Sequence, residues 1–443
     1  MRKSNIPIIT GEMYNDIFQS YTGGAVDLYI PYAENVNVYD INSLSPSSMN
    51  HFPMPVGNPK YFEGDISLSE YKNFGFYNVK VTAPLDLNVP VLQLRLKTKT
   101  GVKTISPVGS WEGWYFSAEL ENAVNNYGYK VEIIKGYLFD KDYIFKDYVE
   151  ALYKVKEDNS PGMVNADPSK YTIAKFLLNM LYGRFGMSPD MSTNLILTHD
   201  EAEKYHNDFE VTDTLDFSNG MGMIEFINEK GIDNTSTDPN ISVSISAAVT
   251  AYSRITMCQY KHIPDNPPIY SDTDSVFLCK PLNPKYIGSK LGLMKLEYIF
   301  KSLVLLATKV YGGVLDPIKN NSKIMKKHGS EIVKVKGLKK PLNYLDLLPL
   351  LNKDSSKKVY QPKWYRFFDQ GYISIKEEVY TLTITTNKRE LIYDSNGKFV
   401  STKPFVLNNG RLIEKEPTIL HYLPLNPLIK ETKKKESQVI ISK

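Results

Sequence analysis

The stretch Ile269-Tyr270-Ser271-Asp272-Thr273-Asp274-Ser275-Val276-Phe277 sets two apolar segments around the polar run Ser-Asp-Thr-Asp-Ser. Aromatic and β-branched residues bounded by turn formers predict a β-hairpin with Asp272 and Asp274 at its tip. Two carboxylates so close repel one another, and a cation between or beside them relieves that repulsion. The turn does not force both side chains the same way, so one can ligate a metal while the other supports it. A plain Asp-rich turn would read identically, and only companions elsewhere in the chain separate the two.

Two companions stand upstream. In Val38-Tyr39-Asp40-Ile41-Asn42-Ser43-Leu44 a carboxylate ends an apolar β segment just before a turn, a position suited to a metal at a sheet edge and equally to a turn cap. In the helix predicted over 169–185, Ile173, Phe176, Leu177, Met180 and Leu181 follow i, i+3, i+4, i+7, i+8 and predict one buried stripe. Lys175, Asn179 and Tyr182 fall on another face, which is either solvated or offers a cation, an amide and an aromatic plane to a ligand. Three carboxylates, a lysine-bearing helix and a basic C-terminal region fit two-metal phosphoryl transfer. An oxygen-only ligand set favours Mg²⁺ over zinc.

The rest of the chain narrows the class. Its 443 residues predict about three lobes, and 42% apolar with 23% charged residues is globular composition. Cys258 and Cys279 are too few for a disulfide scaffold or a Cys-based zinc cluster, and the six His show no ligand spacing. No apolar run reaches the ~18–20 residues of a membrane span and no signal-peptide core is evident, so a soluble intracellular protein is expected. Only 7 of the 53 basic residues are Arg, and 31 residues are Tyr, a bias typical of AT-rich coding sequence. Lys323, Lys326, Lys327, Lys334, Lys336, Lys339 and Lys340 crowd one stretch and Lys433–Lys435 another. Such runs are either solvated surface or track a nucleic-acid backbone. Helices are predicted over 116–126, 144–156 and 244–257, a Pro/Ser turn over 44–47, a polar region over 187–240, and a separate strand-rich lobe in the last third.

The three blocks, in this order, resemble the motifs of family B DNA polymerases. Asp40-Ile41-Asn42-Ser43-Leu44-Ser45-Pro46-Ser47 is similar to DxxSLYPS, Lys175-xxx-Asn179-Met180-x-Tyr182-Gly183 to KxxxNSxYG, and Tyr270-Ser271-Asp272-Thr273-Asp274-Ser275 to YxDTDS. Tyr21-Thr22-Gly23-Gly24 is similar to the YxGG segment of the protein-primed subgroup, Thr250-Ala251-Tyr252-Ser253-Arg254 to Tx2(A/G)R, and Lys309-Val310-Tyr311 to KxY. The wording is nearest to polymerases of linear mitochondrial plasmids. The resemblance implies an α+β right-hand fold with palm, fingers and thumb, and template-primer DNA, dNTPs and a terminal (priming) protein as partners, without membrane contact. It implies Asp40 and Asp274 as ligands of two Mg²⁺ ions, with Asp272 assisting and the Ile41 backbone between them. Lys175, Asn179 and Tyr182 would meet the incoming nucleotide. Tyr21, Gly23, Gly24, Thr250, Arg254, Lys309, Tyr311, Lys334, Lys388 and Arg389 would contact DNA.

The expected domains are an N-terminal segment with the first palm strand (1–51), an insertion resembling the terminal-protein-contact region (52–150), fingers (151–190), a second insertion with the remaining palm (191–312), and thumb with a basic tail (313–443). Three departures stand out. Ser45 occupies the place of the Tyr that excludes ribose, Met180 replaces a Ser, and Ser253 replaces a small apolar residue. No exonuclease motif precedes Tyr21, so proofreading is expected to be absent from this chain. Mitochondrial location is expected from the resemblance and the coding bias. The alternative is a catalytically silent, truncated relative that only binds DNA.

Overall fold

The computed structural model describes residues 5–66, 73–98, 101–187, 192–208, 210–217, 219–227, 241–367, 372–385 and 388–413. Its centre is a seven-stranded sheet in the order Val26–Leu28, Pro268–Asp272, Ser275–Leu278, Tyr32–Ile41, Met294–Ala307, Val310–Leu315 and Glu331–Val335. Every neighbouring pair is antiparallel. Residues such as Val36, Val38, Tyr270, Phe277, Phe300 and Leu303 have almost no exposure, and they make the sheet the core of the molecule. The helix Val243–Lys261 is buried nearly all round, because Ala247, Ala248 and Ala251 let other helices approach closely. The helices Gly11–Ser20, Leu44–His51, Ser117–Tyr127 and Pro168–Phe185 all pack on it.

A second, six-stranded sheet runs Arg411–Leu412, Val406–Asn408, Val108–Phe116, Gly75–Ala83, Lys130–Asp142, Met54–Glu63. Its strand Val406–Asn408 lies parallel to Val108–Phe116, so the C-terminal end of the described chain returns to the insertion. This corrects the expected separate lobe. Residues 294–335 belong to the central sheet, and the boundary expected at 313 cuts through the strand Val310–Leu315. Between them projects the ribbon Lys357–Phe367 paired with Tyr372–Leu382. The polar region over 187–240 holds a small sheet, Glu210–Asp216, Met221–Ile227 and Ser192–Thr198, backed by the helix His199–Asp208. Lys433–Lys435 lie outside the described residues.

Two local expectations are also corrected. Residues 44–47 begin the helix Leu44–His51, since Pro46 falls in its first turn, where no intrahelical N–H is lost. On the helix Pro168–Phe185 the buried residues are Ala174, Leu178 and Phe185, whereas Ile173, Phe176, Leu177 and Met180 are exposed. The helix packs against Lys146–Asp158, and Leu178 and Phe185 join Val149 and Tyr153 in one apolar cluster, which selects the buried face. Among the described residues no helix is long and apolar enough to cross a membrane.

Candidate active site

The ladder brings Asp40 and the hairpin tip together at the ends of two central strands, so the expected sheet-edge position is corrected: the strand Tyr32–Ile41 is the middle one of seven. Asp40 is the cross-strand partner of Ser275, and the Ile41 N–H donates to the Asp274 carbonyl at 2.9 Å. Asp40 and Asp274 are thus neighbours across adjacent strands, with the Ile41 backbone between them. Burial, and then the charge of Asp274, push the Asp40 carboxyl up to about 7. Burial first and Asp272 after it raise Asp274 as well. Two half-buried carboxyls raised in this way are stabilised in their ionised forms by a nearby cation.

Asp272 points elsewhere. Lys309 Nζ lies 2.7 Å from each of its oxygens, and Tyr270 donates its hydroxyl to Oδ2 at 3.1 Å. The Lys309 N–H donates in turn to the Tyr270 hydroxyl at 3.0 Å. The third acid therefore fixes a lysine instead of joining Asp40 and Asp274. Among the described residues no group of three or more His, Cys, Asp or Glu converges to hold a metal. The pair Asp40 and Asp274 fits a hard divalent ion by charge and donor type, and the remaining ligands would come from main chain, water and substrate oxygens.

The turn between the two hairpin strands rests on the Tyr21–Gly24 segment. Thr273 adopts φ of 59°, and its N–H donates to the Ala25 carbonyl at 3.1 Å. A Cβ at Gly24 would stand 2.5 Å from Thr273 Cγ2 and 2.9 Å from its Cα, so only glycine fits there. The Tyr21 ring lies against Gly186, where a side chain would come within 2.7 Å of it. The Tyr21–Gly24 segment thereby joins the acid-bearing turn to the end of the lysine-bearing helix.

Cations gather on the open side of Asp40. Lys295 is its cross-strand partner, and Lys295 and Lys334 both favour its ionised form. Lys156, which sequence reasoning missed, donates to Ser43 Oγ at 2.7 Å. Burial and the nearby Lys175 ammonium lower its affinity for a proton, and Lys295 and Asp40 act on it as well. Lys156 and Lys295 thus reach the field of Asp40 from a helix and a strand, Lys175 lies near Lys156, and Lys295 is itself paired with Glu297 at 2.6 Å, an arrangement suited to a polyanion. Lys175 and Asn179 are exposed and Tyr182 is half-buried. Ser45 is half-buried on the helix that follows Asp40. Ser253 Oγ lies 3.0 Å from Ser48 Oγ, a hydrogen bond that explains a hydroxyl at this packed position.

Several expected DNA contacts are internal. Arg254 is 3% exposed and its guanidinium is committed to Glu119 and to the carbonyls of Thr22 and Gly23. Arg389 donates to the Thr402 hydroxyl and to Asn88, and stacks over Tyr29. Thr250 is buried and donates to the Ala247 carbonyl at 3.1 Å. Tyr311 packs against Tyr270 and Phe277 beneath the sheet. In each case burial replaces the expected phosphate contact with a structural one. Gly23, Lys309 and Lys334 are exposed and Lys388 is half-buried, so these remain accessible. Lys334 Nζ stands 5.7 Å from the centre of the Tyr311 ring, which explains how a buried Tyr still shapes a basic surface.

An α+β fold with two acids together at the end of the central strands of an antiparallel sheet, beside a lysine-bearing helix, is the architecture of the polymerase class. Residues 1–267 match the family described as DNA polymerase type B, organellar and viral, and the chain belongs to that family. It is 39% identical over 424 residues to a probable DNA polymerase of Ascobolus immersus, covering 95% of this chain and 34% of that protein. It is 39% identical over 380 residues to a probable DNA polymerase of Neurospora intermedia, covering 84% of this chain and 38% of that one. The chain therefore spans about a third of the length of these relatives. Its fold is similar to that of Phi29 DNA polymerase complexed with primer-template DNA, with a TM-score of 0.64 at 20% identity over 86% of this chain and 64% of that one.

Proposed function

We propose that this chain is a template-directed DNA polymerase module that adds deoxynucleotides to a 3′-hydroxyl, or to the hydroxyl of a priming protein, in the replication of mitochondrial or plasmid DNA. The observation that supports the reading is the placement of Asp274, in the turn held by the Ile41 N–H, beside Asp40 at the end of the adjoining strand, with both carboxyls raised. Two Mg²⁺ ions held by these acids would lower the charge of the reacting phosphate and activate the attacking hydroxyl. Lys156, Lys175 and Lys295 would neutralise the triphosphate and orient its leaving group. Asn179 and Tyr182 would line the nascent base pair. Lys309, held by Asp272, would grip the primer backbone beside the acids, a contact blind to sequence and weakened by salt.

Primer extension on a primed template with Mg²⁺ tests the reading. Extension by the wild-type chain and its loss in Asp274→Asn would establish it. A folded wild-type chain that shifts primed DNA in a gel yet adds no nucleotide would leave the silent, DNA-binding relative.

A further inference from the structure

Two guanidinium groups hold the Phe18–Gly23 stretch, Arg95 from the insertion itself and Arg254 from a helix tied to the insertion through Glu119. Arg254, on the helix Val243–Lys261, donates through Nη1 to the carbonyls of Thr22 at 2.7 Å and Gly23 at 3.1 Å. Its Nε and Nη2 meet both oxygens of Glu119 at 2.6 and 2.8 Å, and Glu119 belongs to the insertion helix Ser117–Tyr127. Both side chains are under 5% exposed. Arg95, from the insertion strand Leu94–Thr98, donates to the carbonyls of Phe18, at 3.1 Å, and Tyr21, and stacks 4.7 Å over the Phe18 ring.

A planar fork of this kind fixes direction as well as distance, which a lysine cannot do. The fixed object is one residue from Gly24, whose backbone lies so close to Thr273 that a Cβ would collide with it, and the Thr273 N–H is bonded to the Ala25 carbonyl. Thr273 separates Asp272 from Asp274. The contacts therefore form an unbroken series from Glu119 through Arg254, Thr22–Gly23 and Gly24 to the turn that carries the acids.

We infer that Arg254 and Arg95 are positioning residues through which the insertion sets the place of the Asp272–Asp274 turn, and that neither touches DNA. This rests on the polymerase reading only for its kinetic readout. The test uses the full chain with Arg254→Lys and Arg95→Ala. Three quantities are measured: primer-template Kd against salt, Mn²⁺ affinity by electron paramagnetic resonance without turnover, and kcat apart from KM for dNTP.

The expected result is a Kd within about twofold of wild type, an unchanged salt slope, a Mn²⁺ affinity lowered roughly fivefold or more, and a kcat lowered roughly tenfold or more with KM little changed. A salt slope reduced by about one would mark a lost phosphate contact and overturn the inference. Unchanged Mn²⁺ affinity would overturn it too, as would absence of Mn²⁺ binding in the wild-type chain. If the wild-type chain binds Mn²⁺ but adds no nucleotide, the polymerase reading fails while the metal and DNA measurements still decide this one. If Arg254→Lys does not fold, the half-buried Arg95→Ala decides it.

Discussion

Lys309 clasps both oxygens of Asp272 at 2.7 Å, while Asp274, two positions on, stands beside Asp40. The two acids of one turn thus have different partners, and their substitutions separate. Asp274→Asn is expected to abolish Mn²⁺ binding. Asp272→Asn is expected to keep it and to weaken primer-template binding by roughly three- to tenfold as Lys309 loses its anchor. Metal and primer titrations on both variants check this. Equal loss of metal in the two would refute the division of labour.

The raised Asp40 carboxyl fixes a pH dependence. Its folded-state value of about 7 exceeds the ordinary 3.8, so the folded chain holds a proton that the unfolded chain has already released. The stability this group contributes is fully present below 3.8 and is lost as pH rises through about 7. Asp274 acts in the same direction. Thermal melts without metal should fall across that window, and Mg²⁺ should remove most of the decline. A melting profile that ignores Mg²⁺ at pH 8 would count against the metal pair.

Nucleotide addition should carry the same signature. At limiting Mg²⁺ the rate is expected to climb with pH through the region near 7, because metal competes with the Asp40 proton. Saturating Mg²⁺ should move the midpoint lower. A midpoint independent of Mg²⁺ would assign the ionisation to another group.

Gly24→Ala is expected to cost far more activity than its size suggests. The added methyl would meet the Thr273 backbone at 2.9 Å and displace the acid-bearing turn. A loss of roughly 10–100-fold in kcat is expected from a shift of this order, with about 1–3 kcal/mol of stability. Gly23→Ala, where nothing lies within 4 Å, is the matched control and should change little.

Ser45 bears on sugar choice. Ser45 is half-buried on the helix Leu44–His51, and a serine is too small to cover a sugar as a ring does, so the chain should accept rNTPs more readily than a variant carrying Tyr there. Ser45→Tyr is expected to raise the dNTP over rNTP preference roughly tenfold or more. Single-nucleotide insertion kinetics measure it. Equal preference before and after would show that position 45 does not meet the sugar.

The parts of the site legible in sequence were those written in local pattern. The hairpin 269–277 and the strand ending at Asp40 declare themselves through apolar runs broken by acids, and their pairing follows from ladder geometry. Lys156 and Glu119 gave no such signal, because their partners Ser43 and Arg254 lie 113 and 135 positions away. Arg254, Arg389, Thr250 and Tyr311 were placed on DNA because a motif names residues without stating their depth. On the helix Pro168–Phe185 the apolar periodicity marks one stripe, whereas the buried face is set by the partners that Leu178 and Phe185 meet on a separate helix, Val149 and Tyr153.

The return of Val406–Asn408 to the strand Val108–Phe116 has a mechanical consequence. The ribbon Lys357–Leu382 is not a free arm hung from the central sheet. It is a strap fastened at the sheet on one side and buckled to the insertion on the other, with Arg389 pinned to Asn88 near the buckle. The chain that follows the ribbon is thus tied to the insertion at two places, the Arg389–Asn88 bond and the parallel pairing with Val108 and Gly109.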